Sequence, residues 1–305
     1  MYREQGPRTH IEVQGAEIRV LGPFEVVVGG HQIDLGGPRP RALLALLASA
    51  GGRPVGVPTL VDQLWRDREP PDAARTVRTY VSRLRRALRN GTGADELIVT
   101  RPPGYTLPLE SDSVDAGRFE RLAADGRRAL REGQPGPAAE RLAGALGLWR
   151  GDAYAEFADI PALAAEGYRL ERLRVTAIED RVEADLAVGL GAELIAELET
   201  LIGRHPGYER LWGQLMTALY RAGRQADALS TYQRARAALV EVSGVEPSPA
   251  LQAMQRQVLD QELDGRGVRV DPVGALGEAV PLVVVDPQLA VDALAVESCL
   301  DLLRL

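Results

Sequence analysis

The sequence predicts a small α+β domain followed by an all-α domain. Residues 17–107 predict short strands, helix, helix, turn, helix and hairpin in that order, which is typical of a winged helix-turn-helix. From about residue 114 onward, one amphipathic helix follows another. Two similar stretches there are offset by 34 residues, the period of tetratricopeptide repeats (TPR). We therefore predict a winged helix-turn-helix over 1–110, a TPR-like helical domain over 111–263, and a tail, 264–305, of unassigned role.

The first elements follow from local spacing. Alternating apolar residues over 17–36 predict an antiparallel meander of strands, with a tight turn at Gly29-Gly30. Leucine spacing over 38–50 predicts a first helix with one apolar stripe. Thr59 is a candidate N-cap for a second helix. Two consecutive prolines after that helix predict a loop over 66–72.

The third predicted helix, residues 73–89 with Asp72 as N-cap, has two chemically different faces. One face is an apolar stripe that would pack on the first two helices: Val77, Val81, Leu84 and Leu88. The opposite face carries Arg75, Thr79, Ser82 and Arg86, with Arg78, Arg83 and Arg89 on its flanks. No carboxylate occurs between Asp72 and Asp95, and arginine can both read guanine and hold phosphate, so this face suits the major groove of DNA. The alternative is a solvated, arginine-rich surface helix.

A hairpin follows this helix. Leu97–Thr100 predicts a strand, and Arg101 begins the turn to a returning strand at Tyr105. An arginine at such a turn can enter the minor groove beside the helix, whereas Tyr105 is expected to pack the hairpin onto the domain. Arg39 and Arg41, at the start of the first helix, are further phosphate candidates because free backbone N–H groups point outward there; plain surface charge is the alternative.

The helical half contains three stretches that resemble one another: Leu130…Gly133…Gly136, Leu186…Gly189…Ala192 and Tyr220…Gly223…Ala226. Small residues at such positions let paired helices approach closely. Trp212 and Tyr232 are expected to fill the core of the last helical pair. A generic bundle of Ala- and Leu-rich helices remains the alternative to a repeat.

The net charge of −7 is unevenly distributed. Residues 1–110 contain 15 Arg and 12 Asp or Glu, whereas residues 111–305 contain 21 Arg and 31 Asp or Glu. This asymmetry is typical of a DNA-binding part joined to an acidic part that serves another purpose.

Enzyme classes find little support in the residues. His10, His31 and His205 lie in separate regions without metal-ligand spacing, and Cys299 is the single cysteine. All 36 basic residues are arginine, which excludes Schiff-base and Walker A lysine chemistry. We expect no catalytic site, no metal and no cofactor. The polar N-terminus, Met1–His10, and the lack of an apolar run of about 20 residues predict a cytoplasmic protein that does not span a membrane.

Several motifs carry a family resemblance. ARTVRTYVSRLRRAL followed by VTRPPGYTL resembles the recognition helix and wing of OmpR-type winged-helix regulators. Together with LGPFEVVVGG, PRPRALLALLA and the helical half, residues 17–263 resemble the SARP family, the Streptomyces antibiotic regulatory proteins. The helical half then corresponds to that family's bacterial transcriptional activation domain. The sequence contains neither a receiver domain nor the Walker A motif of larger family members.

The resemblance implies roles for particular residues. It places DNA-contacting side chains at Arg75, Thr76, Arg78, Thr79, Tyr80, Ser82 and Arg83, and the wing arginine at Arg101. The loop that contacts RNA polymerase in such activators corresponds to Arg66, Asp67, Arg68 and Glu69. The resemblance further implies a dimer bound to direct repeats in promoter DNA, recruitment of RNA polymerase through its sigma factor among other subunits, and activation of a secondary-metabolite gene cluster.

Two other functions remain open at this point. The chain could be a TPR-like adaptor whose winged helix contacts only protein; the acid-free arginine face of helix 73–89 disfavours it, because an adaptor has no need of such a face. It could also be a ligand-gated regulator, which would require a pocket that the sequence does not reveal.

Overall fold

A computed structural model describes residues 16–66, 68–92 and 97–261. The N-terminal part combines two three-stranded antiparallel sheets with three helices. Its elements are β1 (Ala16–Arg19), β2 (Glu25–Val28), β3 (His31–Gln32), α1 (Pro38–Ser49), β4 (Val55–Gly56), α2 (Val57–Trp65), α3 (Ala73–Thr92), β5 (Val99–Arg101) and β6 (Gly104–Thr106). This order confirms the predicted winged helix-turn-helix.

Glycine makes possible one tight turn and one close approach of two strands in these sheets. Gly29 and Gly30 join β2 to β3 with φ of 55° and 84°, the left-handed conformation that a two-residue hairpin turn requires. Gly104 is the first residue of β6, which pairs with β4. A Cβ atom at this position would lie 1.9 Å from the carbonyl oxygen of Val55. The wing can therefore close onto β4 only with glycine at position 104.

Two predicted helix boundaries differ from the structure. Helix α2 begins at Val57 with Gly56 as its N-cap, so the assignment of Thr59 as N-cap is wrong. The reason is Pro58, which fits the first turn of a helix and moves the start ahead of Thr59. Helix α3 continues to Thr92, one turn beyond its predicted end, whereas its cap is as predicted: Asp72 Oδ1 accepts a hydrogen bond from the backbone N–H of Arg75 (3.2 Å).

The second part is helical throughout the described residues, which confirms the predicted class. Its helices are α4 (Asp115–Arg131), α5 (Pro135–Leu146), α6 (Pro161–Ala187), α7 (Ile195–Arg204), α8 (Glu209–Arg221), α9 (Gln225–Ser243) and α10 (Pro249–Asp260). Gly133, Gly189 and Gly223, the shared glycines of the three similar stretches, each take a positive φ just after a helix. The stretches thus mark turns between consecutive helices. The predicted tail, 264–305, lies outside the described residues.

The described residues pack into two hydrophobic cores. The first contains the winged helix together with side chains of α4, α5 and α6, such as Phe119, Leu142 and Leu163. The second contains the end of α6 and helices α7 to α10, with Trp212 and Tyr232 inside it as predicted. The predicted division at residue 110 therefore does not coincide with a break in packing.

A buried carboxylate joins the two parts. Asp115, the first residue of α4, is 2% exposed and accepts hydrogen bonds from the backbone N–H groups of Val20 (2.8 Å) and Leu21 (3.2 Å). Burial raises the pKa of this carboxyl, and the two N–H donors and the charge of Arg150 offset part of that effect. Because these bonds connect the chain directly after β1 to α4, the winged helix is fixed on the helical part rather than joined to it by a flexible linker alone.

Candidate nucleic-acid interface

Helix α3 presents its polar face to solvent because its apolar face is fully used. Val77, Val81, Leu84 and Leu88 are each at most 3% exposed, and the helix packs against α1 and α2. The side chains on the other face are exposed: Arg75, Arg78, Thr79, Ser82, Arg83, Arg86 and Arg89. The helix therefore offers a row of guanidinium and hydroxyl groups that could enter a groove of nucleic acid.

Two threonines on α3 are held in place by their own helix. The hydroxyls of Thr76 and Thr79 donate to the carbonyl oxygens of Asp72 and Arg75, both at 3.0 Å. Such bonds restrict the side-chain rotamers. Thr79 is exposed and Thr76 is half-buried, so Thr79 is the better placed of the two to touch a base.

Tyr80 lies at the junction of α2 and α3. Its ring stacks on Trp65, with centroids 6.1 Å apart and planes at 20°, and it is half-buried. The guanidinium carbon of Arg39 lies 6.0 Å from the Trp65 ring on the same surface. Tyr80 thus braces the two helices, and any contact with DNA that it or Arg39 makes would come from this aromatic cluster.

The wing carries Arg101 at the end of β5, exposed to solvent. A residue that the sequence did not single out braces this strand: Arg85 of α3 donates from Nε to the Ile98 carbonyl oxygen (2.8 Å) and from Nη2 to Thr100 Oγ1 (2.9 Å). Its guanidinium carbon also lies 6.0 Å from the Tyr105 ring, which is buried as predicted. Arg85 therefore links the helix to the strand that ends in Arg101.

Arg41 forms an ion pair with the helical part. Its Nε and Nη2 both donate to the carboxylate of Glu156 at 2.6 Å, and Nη2 also donates to the Phe24 carbonyl oxygen (2.7 Å). The bond to Glu156 raises the pKa of Arg41. Since Glu156 belongs to the helical part, this guanidinium links the two parts, whereas Arg39 is exposed and has no such partner among the described residues.

The loop after α2 contains the candidate polymerase contacts. Arg66, Arg68 and Glu69 are exposed, and Asp67 lies outside the described residues. Arg66 adopts a left-handed φ of 48°, and its N–H donates to the Asp62 carbonyl oxygen (2.9 Å). The helix therefore ends sharply and leaves this loop on the surface.

The described residues contain neither a candidate metal site nor a membrane-spanning helix. Within 16–66, 68–92 and 97–261, no group of three or more His, Cys, Asp or Glu side chains is placed to hold a metal ion. In the same ranges, no helix is both long and apolar enough to cross a membrane. His205 is half-buried, and burial lowers its pKa. His10 and Cys299 lie outside the described residues.

Comparison with known proteins gives consistent matches over most of the chain. Residues 30–107 match the family described as "Transcriptional regulatory protein, C terminal", and residues 114–259 match the "Bacterial transcriptional activator domain". The regulatory protein DnrI of Streptomyces peucetius is 36% identical over 271 residues, which cover 86% of this chain and all of DnrI. The regulatory protein AfsR of Streptomyces coelicolor is 37% identical, over 80% of this chain and 24% of AfsR.

A solved structure is similar as well. The structure entitled "Mycobacterium tuberculosis EmbR in complex with low affinity phosphopeptide" matches with a TM-score of 0.78 and 35% identity. The match covers 82% of this chain and 67% of the EmbR chain. The transcriptional regulatory protein EmbR is 36% identical to this chain in sequence, over 63% of its own length.

Proposed function

The chain belongs to the SARP family of transcriptional regulators, and on that premise we propose that it is a sequence-specific DNA-binding activator of a secondary-metabolite gene cluster. Its relatives DnrI and AfsR are named as regulatory proteins, and EmbR as a transcriptional regulatory protein. The observation that carries the proposal is the exposed face of α3, which has arginines and hydroxyls and no carboxylate.

In the proposed complex, α3 lies in the major groove. Arg83 is exposed on a flank of the polar face, about midway along the helix, and its guanidinium can donate two hydrogen bonds to O6 and N7 of a guanine. Arg75, Arg78 and Arg86 would hold phosphates along the groove. Arg101 at the wing would enter the adjacent minor groove, where a narrow A·T tract attracts arginine.

The helical part would serve activation and not DNA contact. Residues 111–305 carry 31 acidic against 21 basic residues, so this part repels the phosphate backbone at low salt. We propose that it presents surfaces to RNA polymerase, and that the exposed loop residues Arg66, Arg68 and Glu69 contact the polymerase, including its sigma factor. We also propose that two copies of the chain bind direct repeats in the promoter as a dimer.

An equilibrium binding experiment tests the DNA-binding step. The full chain would be titrated onto duplexes from upstream of neighbouring operons at two salt concentrations, with an unrelated duplex as competitor. Several arginine–phosphate contacts predict that log K falls with log salt at about −0.9 per phosphate contacted. Arg83→Ala should lose specific affinity, whereas Arg131→Ala, which removes an exposed arginine at the end of α4, should not.

The result also decides between the proposal and the adaptor hypothesis. If the chain binds specific and unrelated duplexes with equal affinity and without salt dependence, DNA is not its partner. A winged helix that contacts only protein would then be the better interpretation.

A further inference from the structure

A cavity of about 300 Å³ lies between the winged helix and the helical part. Its walls come from the C-terminal end of α1, the chain after β6, and helices α4 and α6. The side chains used in the argument below are Leu107, Val114, Glu120, Tyr154, Glu166 and Arg169. A second cavity of equal volume shares Ser49 and Glu166 with the first, so Glu166 lies between the two. Each of the two alone is at the lower limit of the volumes typical of small-molecule sites.

Tyr154 supplies an unused polar group inside the first cavity. The residue is 3% exposed, yet its hydroxyl makes no hydrogen bond with any of the residues that the structure describes. Its oxygen is not one of the fully buried side-chain atoms that lack a partner, so the hydroxyl reaches the cavity and can bond a ligand there. The backbone around Tyr154 is anchored independently: its N–H donates to the Val20 carbonyl oxygen (3.0 Å). The backbone position of Tyr154 in the cavity wall is therefore fixed.

The polar wall beside Tyr154 has an excess of negative charge. Arg169 donates to Glu166 from Nε (2.8 Å) and Nη2 (2.6 Å), and Nη2 also bonds to Glu120. One guanidinium thus serves two carboxylates, and Glu110 also lines the cavity. Burial and the charge of Glu166 raise the pKa of Tyr154, so its hydroxyl stays protonated. Leu107 and Val114 contribute apolar side chains to the lining.

We propose that this cavity binds a small organic amine. The ammonium group lies against Glu120 and Glu166, the Tyr154 hydroxyl hydrogen-bonds the ligand, and an apolar body packs on Leu107 and Val114. An anion is disfavoured because Arg169 is already occupied by two carboxylates. The ligand would touch α1 of the winged helix and α6 of the helical part at once, and the site stands independently of the DNA-binding proposal.

Thermal unfolding of the full chain with matched probes tests this site. The probes are 2-phenylethylamine and its charge-reversed analogue phenylacetate, each at about 10 mM. Because a ligand that binds only the folded state raises the unfolding midpoint, we expect the amine to raise it by about 2 °C and phenylacetate to leave it unchanged. Tyr154→Phe and Glu166→Gln should each reduce the amine's shift by more than half.

Tyr168→Phe is the matched control, since this tyrosine belongs to α6, which lines the cavity, but is 69% exposed and outside the lining. Tyr154→Phe breaks no hydrogen bond among the described residues, so the variant should fold. The proposal is overturned if the amine gives no shift, if phenylacetate gives an equal one, or if the amine's shift survives in either cavity variant.

Discussion

Replacing Arg85 by methionine should weaken DNA binding only through the wing. The substitution keeps an unbranched side chain against Tyr105 but removes the two hydrogen bonds to Ile98 and Thr100. Strand β5 ends in Arg101, so loss of the brace lets that arginine move relative to α3. Both bonds come from a charged donor but lie partly in solvent, so we expect a loss of about 1–2 kcal/mol in the free energy of unfolding.

The effect on DNA affinity is separated from that on stability by a double-mutant cycle. Affinity for the cognate duplex would be measured for the parent, Arg85→Met, Arg101→Ala and the double variant. We expect a coupling of about 1 kcal/mol, because once Arg101 is gone its position no longer matters. Arg53→Met is the control, since its Nε donates to the Ala50 carbonyl oxygen and not to the hairpin. Additive losses in the cycle would refute the role of Arg85 as a positioning residue.

Three further predictions concern other parts of the molecule. Arg101→Ala should make the slope of log K against log salt shallower by roughly 1 and cost affinity at A·T-rich flanks; an unchanged slope would argue against a wing contact. Trp212→Ala should cost about 3–5 kcal/mol in the free energy of unfolding, since its 4%-exposed ring fills the second core and its Nε1 donates to the Pro206 carbonyl oxygen (2.9 Å); a denaturation midpoint like the parent's would contradict this. Burial raises the pKa of Glu179 from 4.5 to about 7, because the folded protein favours the neutral carboxyl. The free energy of unfolding therefore falls as pH rises between those values and the buried carboxyl becomes charged. Glu179→Gln should therefore be more stable than the parent at pH 8, by at most about 3 kcal/mol, and the difference should vanish below pH 4.5; equal stability at both pH values would contradict the burial cost.

Local patterns were sufficient to predict the elements of the winged helix. The spacing of Val77, Val81, Leu84 and Leu88 identified the buried face of α3, because side chains three and four residues apart share a helix face. The residues on the opposite side of the same helix were therefore predicted to be exposed. Gly29-Gly30 predicted the β2–β3 turn for an equally local reason, since few other residues adopt positive φ.

Local sequence patterns could not predict roles that depend on partners far away in the sequence. Arg41 and its partner Glu156 are 115 residues apart, and nothing near Arg41 in the sequence distinguishes it from Arg39. Asp115 likewise binds N–H groups some 95 residues earlier. The alternation of strands and helices predicted a change of fold class near residue 110 but carries no information about which helices share a core with the winged helix.

The central claim is that α3 reads bases in the major groove, and atom-level substitution in the DNA tests it most directly. Guanines of the cognate site would be replaced one at a time by 7-deazaguanine, which lacks the N7 acceptor, and affinity would be measured for the parent and for Arg83→Ala. We predict one guanine whose replacement weakens binding of the parent by about 1–3 kcal/mol but has no further effect on Arg83→Ala. If every replacement weakens the two proteins equally, Arg83 reads no guanine N7 and the assignment of α3 as the recognition helix is contradicted.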